Sequence, residues 1–350
     1  MTGRTEVLLV DDSPFIRRAV QRMLEPLPGV EVVGTARNGA EAIELAEQLR
    51  PDVIILDIVM PELDGLEAIR RIMEVAPTPI LVLSSHTQPG AETTLQALEL
   101  GAVDFLSKTD ADTRMDIYDL APALREKVLA AAESRVPPRD RIPEVVAPEK
   151  PARPVGVSRY KLLALGASTG GPRALASILY GLPVDFPAGV VIAQHMPPGF
   201  TGTLAERLDR RAAITVREAA DGDTVEPGVA LIGVGGRQIR VEASGDRLVV
   251  RIPPDGDGLL HRPSVDVLFS SVADTVGDRA VGAVLTGMGE DGAKGLTAMR
   301  AAGSRTFAES ADTAVIFGMP RAAAPAAEQI LPLDRLARAL REIFMEREAG

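Results

Sequence analysis

Short apolar runs alternate with segments of helical spacing along most of this chain, and that alternation narrows the fold more than any other feature. Val7–Val10, Glu31–Thr35, Val53–Leu56, Ile80–Leu83 and Asp104–Leu106 have the length and content of strands. The segments near 14–25, 39–49, 65–75, 90–100 and 114–132 have helical spacing and lie between or after them. Strands that alternate with helices pair in parallel, with helices covering both faces of the sheet. Residues 160–345 repeat the style, with apolar strands near 161–165, 189–193, 229–232 and 281–285. A hairpin is expected near 237–252, turning at Ser244-Gly245-Asp246, and an amphipathic helix from Leu333 to Glu346. The expectation is α/β throughout, as two doubly wound domains, the second with a mostly parallel sheet and a β-hairpin.

The two halves are separated by a change of texture. Between Glu133 and Arg159 the prolines Pro137, Pro138, Pro143, Pro148, Pro151 and Pro154 are scattered among charges with no helical or strand period. Such a segment reads as an extended, semi-stiff linker. The domains are therefore placed at 1–132 and 159–350, joined by 133–158. A chain of 350 residues is long enough for two sizeable cores.

Composition excludes several classes. A net charge of −11 leaves no surplus of Lys and Arg for a nucleic-acid backbone. Aromatics make up only 3% and Trp is absent, which argues against stacking platforms for bases. There are no cysteines, so disulfides, thiolate metal sites and a cysteine nucleophile are ruled out. The apolar run at the N-terminus ends at Asp11 after Val7–Val10, too short for a signal-peptide core. No apolar run approaches the roughly 18–20 residues that span a bilayer. A cytoplasmic protein, not inserted in a membrane, is expected.

Chemistry gathers where strands end. Asp11 and Asp12 follow the first strand and Asp57 ends the third, positions that neighbour each other at the carboxyl edge of a doubly wound sheet. Three carboxylates packed together repel unless a cation sits among them, and Mg²⁺ is a hard ion that prefers oxygen. Ser84 closes the fourth strand and Lys108 the fifth, within reach of the same crevice. Carboxylate, Mg²⁺, hydroxyl and ammonium together make a phosphoryl-accepting site, with Asp57 the acceptor. A single Asp at a strand end is more often a helix cap; the set at this spacing is not explained that way.

In the second half, Gly166-Ala167-Ser168-Thr169-Gly170-Gly171 follows an apolar strand and opens a helix-like segment at Pro172. A serine on such a turn projects its hydroxyl into a cleft, and the flanking glycines admit a substrate. The chain holds only three histidines to serve as its base. His86 belongs to the first half, and His261 lies in a loop entering a helix. His195 sits at a strand's carboxyl end, as Ser168 does, and is the better base. Asp291, in the loop Thr286-Gly287-Met288-Gly289-Glu290-Asp291-Gly292, is the candidate orienting acid, with Glu290 its rival by position. An N-cap serine and a structural histidine are the plain alternatives for either residue alone. Three separate strand-end loops carrying Ser, His and Asp are harder to set aside.

These residues carry a resemblance in each half. Residues 5 to 130, with Met60-Pro61, Asp64-Gly65 and Gly101-Ala102-Val103-Asp104, resemble the receiver domain of bacterial response regulators, which implies a flavodoxin-like fold. The resemblance implies that Asp12, Asp57 and the Val59 carbonyl bind Mg²⁺, with Asp11 supporting the site. It also implies that Ser84 senses the phosphoryl group and Lys108 contacts it. Thr109 stands where receivers usually carry proline. The whole chain, through Gln194-His195-Met196-Pro197, Arg262-Pro263-Ser264-Val265-Asp266, Thr286-Gly287-Met288-Gly289 and Gly318-Met319-Pro320, resembles the chemotaxis protein-glutamate methylesterases, with a Rossmann-like C-terminal domain. The resemblance implies nucleophile Ser168, base His195 and orienting Asp291, with Thr169 and Met288 in the site and Met288 near the oxyanion. Two departures from the family pattern, Gln238 in place of a His and Glu309 in place of a Gln, are expected to bear on substrate contacts.

The function expected is therefore phosphorylation-activated hydrolysis of glutamate γ-methyl esters on methylated chemoreceptors, releasing methanol. Receptor glutamine deamidation and a chemotaxis histidine kinase as phosphodonor are implied by the resemblance. Mg²⁺ is expected for phosphorylation and no cofactor for the esterase. An unphosphorylated receiver packed over the Ser168 cleft would explain the gating. The alternatives are a non-enzymatic, phosphorylation-gated receptor-binding module and a receiver-linked esterase or amidase acting on another substrate. A transcriptional output is the weakest reading.

Overall fold

The computed structural model describes residues 4–84, 88–108, 117–134, 158–254 and 261–345. His86, Thr109 and nearly all of the proline-rich linker lie outside the described residues. The chain divides into two compact units, Met1–Ile142 and Pro143–Gly350.

The first unit alternates β1 (Thr5–Val10), α1 (Pro14–Leu24), β2 (Val30–Ala36), α2 (Gly39–Leu49), β3 (Val53–Asp57), α3 (Gly65–Val75), β4 (Ile80–Ser84), α4 (Gln88–Leu100), β5 (Asp104–Ser107) and α5 (Ala121–Glu133). All pairings in its sheet are parallel, in the order β2-β1-β3-β4-β5. This is the flavodoxin-like order, and it sets the ends of β1 and β3 side by side. β3 and β4 are buried on both faces, which is why Val53–Asp57 and Ile80–Ser84 read as unbroken apolar runs. Side-chain caps start the helices: Ser13 accepts from the Ile16 N–H, Asn38 from Glu41 and Asp64 from Glu67. The expected helix near 114–132 begins later, at Ala121, after a short 3₁₀ turn over Ile117–Leu120.

The second unit contains β6 (Leu162–Ala167), α6 (Gly171–Leu179), β7 (Gly189–Gln194), α7 (Phe200–Asp209), β8 (Thr215–Glu218), β9 (Val229–Ile232), β10 (Arg240–Ser244), β11 (Arg247–Arg251), α8 (Val265–Thr275), β12 (Ala280–Val284), α9 (Ala293–Ala301), β13 (Arg305–Glu309), α10 (Met319–Ala323), β14 (Gln329–Leu331) and α11 (Leu333–Met345). Seven strands form a parallel sheet in the order β14-β13-β12-β6-β7-β9-β8, and β10 pairs with β11 as an antiparallel hairpin turning at Gly245. The chain enters at the centre on β6, winds outward through β7, then returns to β12 on the other side. The switch point therefore lies at β6, flanked by β12 and β7.

The core of this unit packs Val265, Leu268, Phe269 and Val272 of α8 against Leu162, Val191 and Leu231 of the sheet. On the other side, Phe344 of α11 is fully buried and meets Phe186 at 4.9 Å and Tyr160 at 5.8 Å between ring centroids. Truncating so large a buried ring leaves a cavity. Phe344→Ala should destabilise the second unit by about 3–5 kcal/mol, read from its unfolding midpoint in urea.

Candidate active site

Each sheet gathers its functional residues at the carboxyl ends of adjacent strands. In the first unit, Asp11 and Asp12 follow β1, Asp57 ends β3, and one oxygen from each lies within 4.8 Å of the others. The Lys108 ammonium, carried just past β5, lies 2.9 Å from Asp11 Oδ2 and 2.8 Å from Asp57 Oδ2. Burial pushes the Asp57 carboxyl above its usual range, and Lys108 works against that shift. Burial also works to lower Lys108, but Asp57 and Asp11 outweigh it and hold the ammonium above its ordinary value. Asp12 is exposed, which leaves an open side to the cluster. Three carboxylates and a single ammonium fit a hard divalent cation. Ser84 sits where expected at the end of β4, but its hydroxyl is engaged with Thr94, whose own hydroxyl donates to the Gly90 carbonyl. The Val59 side chain is exposed, two residues beyond Asp57.

In the second unit, the three strands at the switch point each deliver one candidate. Ser168 follows β6, His195 follows β7 and Asp291 lies in the loop after β12. The turn at Ser168 is tied on both sides. Its N–H donates to the Thr286 carbonyl at 3.0 Å, and its carbonyl accepts from the Gly171 N–H at 2.8 Å. Gly170, with φ +78°, makes the left-handed step into α6. A Cβ at Gly287 would lie 2.8 Å from Ser168 Cβ, so only glycine allows that loop to press against the Ser168 turn.

His195 and Asp291 form the hydrogen-bonded core of the site. His195 Nε2 lies 2.7 Å from Asp291 Oδ2. The carboxylate also accepts from Ser264 Oγ, the Val265 N–H and the Asp266 N–H at 2.9, 2.7 and 3.0 Å. Burial pushes the Asp291 carboxyl upward, but the hydrogen bonds from His195 and from this backbone outweigh it and hold it well below the carboxylate range. Glu290, the positional rival, is exposed. Among the described residues no hydrogen bond joins the Ser168 hydroxyl to His195. What couples the two residues is backbone and amide: the His195 N–H donates to the Ala167 carbonyl at 3.0 Å, and Gln194 Nε2 bridges the carbonyls of Ser168 and His195 at 2.9 and 3.0 Å.

The chain matches known families over both units. A family model for the CheB methylesterase covers residues 163–340, and one for the response regulator receiver domain covers residues 7–117. The protein-glutamate methylesterase/protein-glutamine glutaminase 2 of Pseudomonas aeruginosa is 45% identical over 346 residues, spanning 98% of each chain. The chain belongs to the CheB methylesterase family. The corresponding protein of Symbiobacterium thermophilum is 45% identical over 350 residues, 95% of each chain. The crystal structure of the Thermotoga maritima CheB methylesterase catalytic domain superposes with a TM-score of 0.51 at 37% identity, covering 53% of this chain and 98% of that one.

Within this CheB-type domain, several supporting residues were invisible to sequence reasoning. His261, weighed only as a rival base, stacks its ring on that of His195 with centroids 4.2 Å apart and planes 7° from parallel. Burial lowers its pKa, the neighbouring His195 lowers it further, and Asp291 opposes both, so His261 presents a neutral face at neutral pH. Asp266 accepts from the Gly292 and Gly295 N–H groups with one oxygen, capping α9 directly after Asp291. Gln238 is buried and bonded inward: its Oε1 accepts from the Ser264 N–H at 2.8 Å and its Nε2 donates to the His261 carbonyl at 2.9 Å. Glu309 is fully buried. Both side chains are bonded to loops around the site, Gln238 to Ser264 and His261, and Glu309 to Thr286 and Thr313. Thr169 is likewise buried, its carbonyl taken by Thr286 Oγ1, while Met288 is half-buried in the loop after β12. No helix among the described residues is long and apolar enough to cross a membrane.

Because Lys108 is the chief influence opposing burial at Asp57, Lys108→Met should raise the Asp57 carboxyl pKa further. A ¹³C-carboxyl NMR titration of the full chain checks this, with an unchanged midpoint counting against the assignment.

Proposed function

We propose that this protein hydrolyses glutamate γ-methyl esters on methylated chemoreceptors in the cytoplasm, by acyl transfer through Ser168, and that phosphorylation of Asp57 activates it. The pairing of His195 with Asp291 at the switch point beside Ser168 carries the reading. With Nε2–H donating to Asp291, the Nδ1 lone pair of a neutral His195 is the site left to take the Ser168 proton. The serine oxygen then bonds to the ester carbonyl carbon, whose oxygen becomes an oxyanion. The Ser168 and Gly287 N–H groups are already committed to Thr286 and Ile316 carbonyls, which leaves Met288 as the better placed donor in that loop. The C–O bond to methoxide breaks, and the proton returns from His195 to give methanol. Water then gives a proton to His195 and attacks the acyl-enzyme, releasing the γ-carboxylate and restoring the Ser168 hydroxyl. A glutamine side chain follows the same route and releases ammonia. The charge that His195 acquires on the way is matched by Asp291, and the stacked His261 is neutral and adds no repulsion.

In the receiver unit, Asp57 is the phosphoryl acceptor, with a histidine kinase as donor. Asp12, Asp57 and the Val59 carbonyl would hold Mg²⁺, which when bound neutralises charge on the phosphoryl oxygens. Asp11 holds the Lys108 ammonium against Asp57, and Ser84 reaches the phosphoryl group after its hydroxyl leaves Thr94. The domain limits 1–132 and 159–350, with a linker between them, fit one regulatory and one catalytic body.

Two experiments test the reading. Ser168→Ala should reduce methanol release from methylated receptor membranes by at least about 10³-fold while leaving the chain folded, whereas residual release near wild type would favour a binding module. Asp57→Asn should keep the basal rate and abolish the rise in rate on adding a phosphodonor with Mg²⁺; a persisting rise would exclude Asp57 as the switch.

A further inference from the structure

Glu309 is a buried acid that the acyl-transfer chemistry does not use. It ends β13, next to β12, and is 0% exposed. Both of its oxygens are engaged. Oε2 accepts from the Thr286 N–H at 2.9 Å, and Oε1 accepts from the Thr313 hydroxyl at 2.9 Å. Thr313 Oγ1 in turn accepts from the Leu333 N–H. Thr286 is the residue whose carbonyl receives the Ser168 N–H, and whose hydroxyl donates to the Thr169 carbonyl while accepting from the Ile316 N–H. Glu309 therefore holds the peptide that holds the nucleophile turn.

Its two partners do not respond alike to a proton. The Thr286 N–H can only donate, so a proton on Glu309 must sit on Oε1, facing Thr313, whose hydroxyl can reverse and accept. The bond to Thr286 then survives but falls from a charge-assisted bond to a neutral one, roughly half as strong. We propose that Glu309 is a proton-linked positioning residue, whose ionised carboxylate grips Thr286 and thereby sets the alignment of Ser168 for attack.

The surroundings place this change near neutrality. Burial raises the carboxyl, the Thr286 and Thr313 hydrogen bonds and the Arg173 charge lower it, and the balance is about 7. Arg173, on α6 just past the nucleophile turn, is the charged group that faces it, and burial lowers Arg173 in turn. Thr286 and Gly287 of the β12 loop, Thr313 and Ile316 of the loop after β13 and Leu333 of α11 contribute no further charge.

The proposal rests on the esterase reading, so its test has an arm that does not. Glu309→Gln keeps the shape and fixes the neutral form, with its amide toward Thr313. In full-length protein, kcat for methanol release should rise by roughly 3- to 10-fold more in wild type than in Glu309→Gln between pH 6 and pH 8.5, with KM unchanged. Thr313→Val, which removes a donor to the charged form, should move that extra rise to higher pH. Superposable pH profiles for wild type and Glu309→Gln would overturn the proposal. The second arm is thermal stability. A folded pKa raised above the unfolded value stabilises at low pH and loses that contribution as pH rises through about 7. The Tm of Glu309→Gln relative to wild type should therefore climb between pH 5 and pH 8. A pH-independent difference would overturn the proposal even if no methanol were released by any variant, an outcome that would itself count against the esterase reading alone.

Discussion

One carboxylate, that of Asp291, holds the second unit's site together. Its two oxygens collect an imidazole from the end of β7, a hydroxyl and two backbone N–H groups from the start of α8, and they do so from the loop after β12. Removing that charge would leave four donors from two other segments without an acceptor in a buried place, where unmet hydrogen bonds are costly. The low carboxyl pKa records the same fact from the other side: the site is built around an anion. Asp266, Gln238 and Ser264 then read as a brace, each fixing a loop that the carboxylate has drawn in.

The two units solve one electrostatic problem in different ways. In the first, buried like charges are kept close by an ammonium and leave an open side where a divalent cation fits. In the second, the buried Asp291 carboxylate is matched by donors and by an imidazole that can become a cation. Both arrangements depend on a parallel sheet whose strand ends converge at a switch point, because only there do residues distant in sequence meet with their backbone already fixed.

Much of this was legible beforehand, for physical reasons. Fully buried parallel strands such as Val53–Asp57 and Leu162–Ala167 read as apolar runs, and the glycines and polar residues that follow them mark the carboxyl edge. Ser168, His195 and Asp291 stand out as candidates because each follows such a run and because histidine is scarce, and the fold brings all three to the switch point. β8, β13 and β14 were not anticipated: β8 and β14 are short, exposed edge strands such as Thr215–Glu218, and β13 is an inner, buried strand whose apolar stretch is only Phe307-Ala308 between polar residues. The supporting residues were hidden for another reason. The His261 stack, the Gln194 bridge and the inward turn of Gln238 and Glu309 are contacts between loops, and no period along the chain encodes them.

The last helix gives the fold an unexpected lever. α11 packs on α6, and its Phe344 sits against Tyr160, just before the central strand β6, and Phe186, just before β7. α11 is thus a clasp across the helix that the Ser168 turn opens into. Trimming α11, or seating a bulky group against it, would remove a packing partner of α6 and not merely shorten a surface helix. α11 belongs, mechanically, to the support of α6.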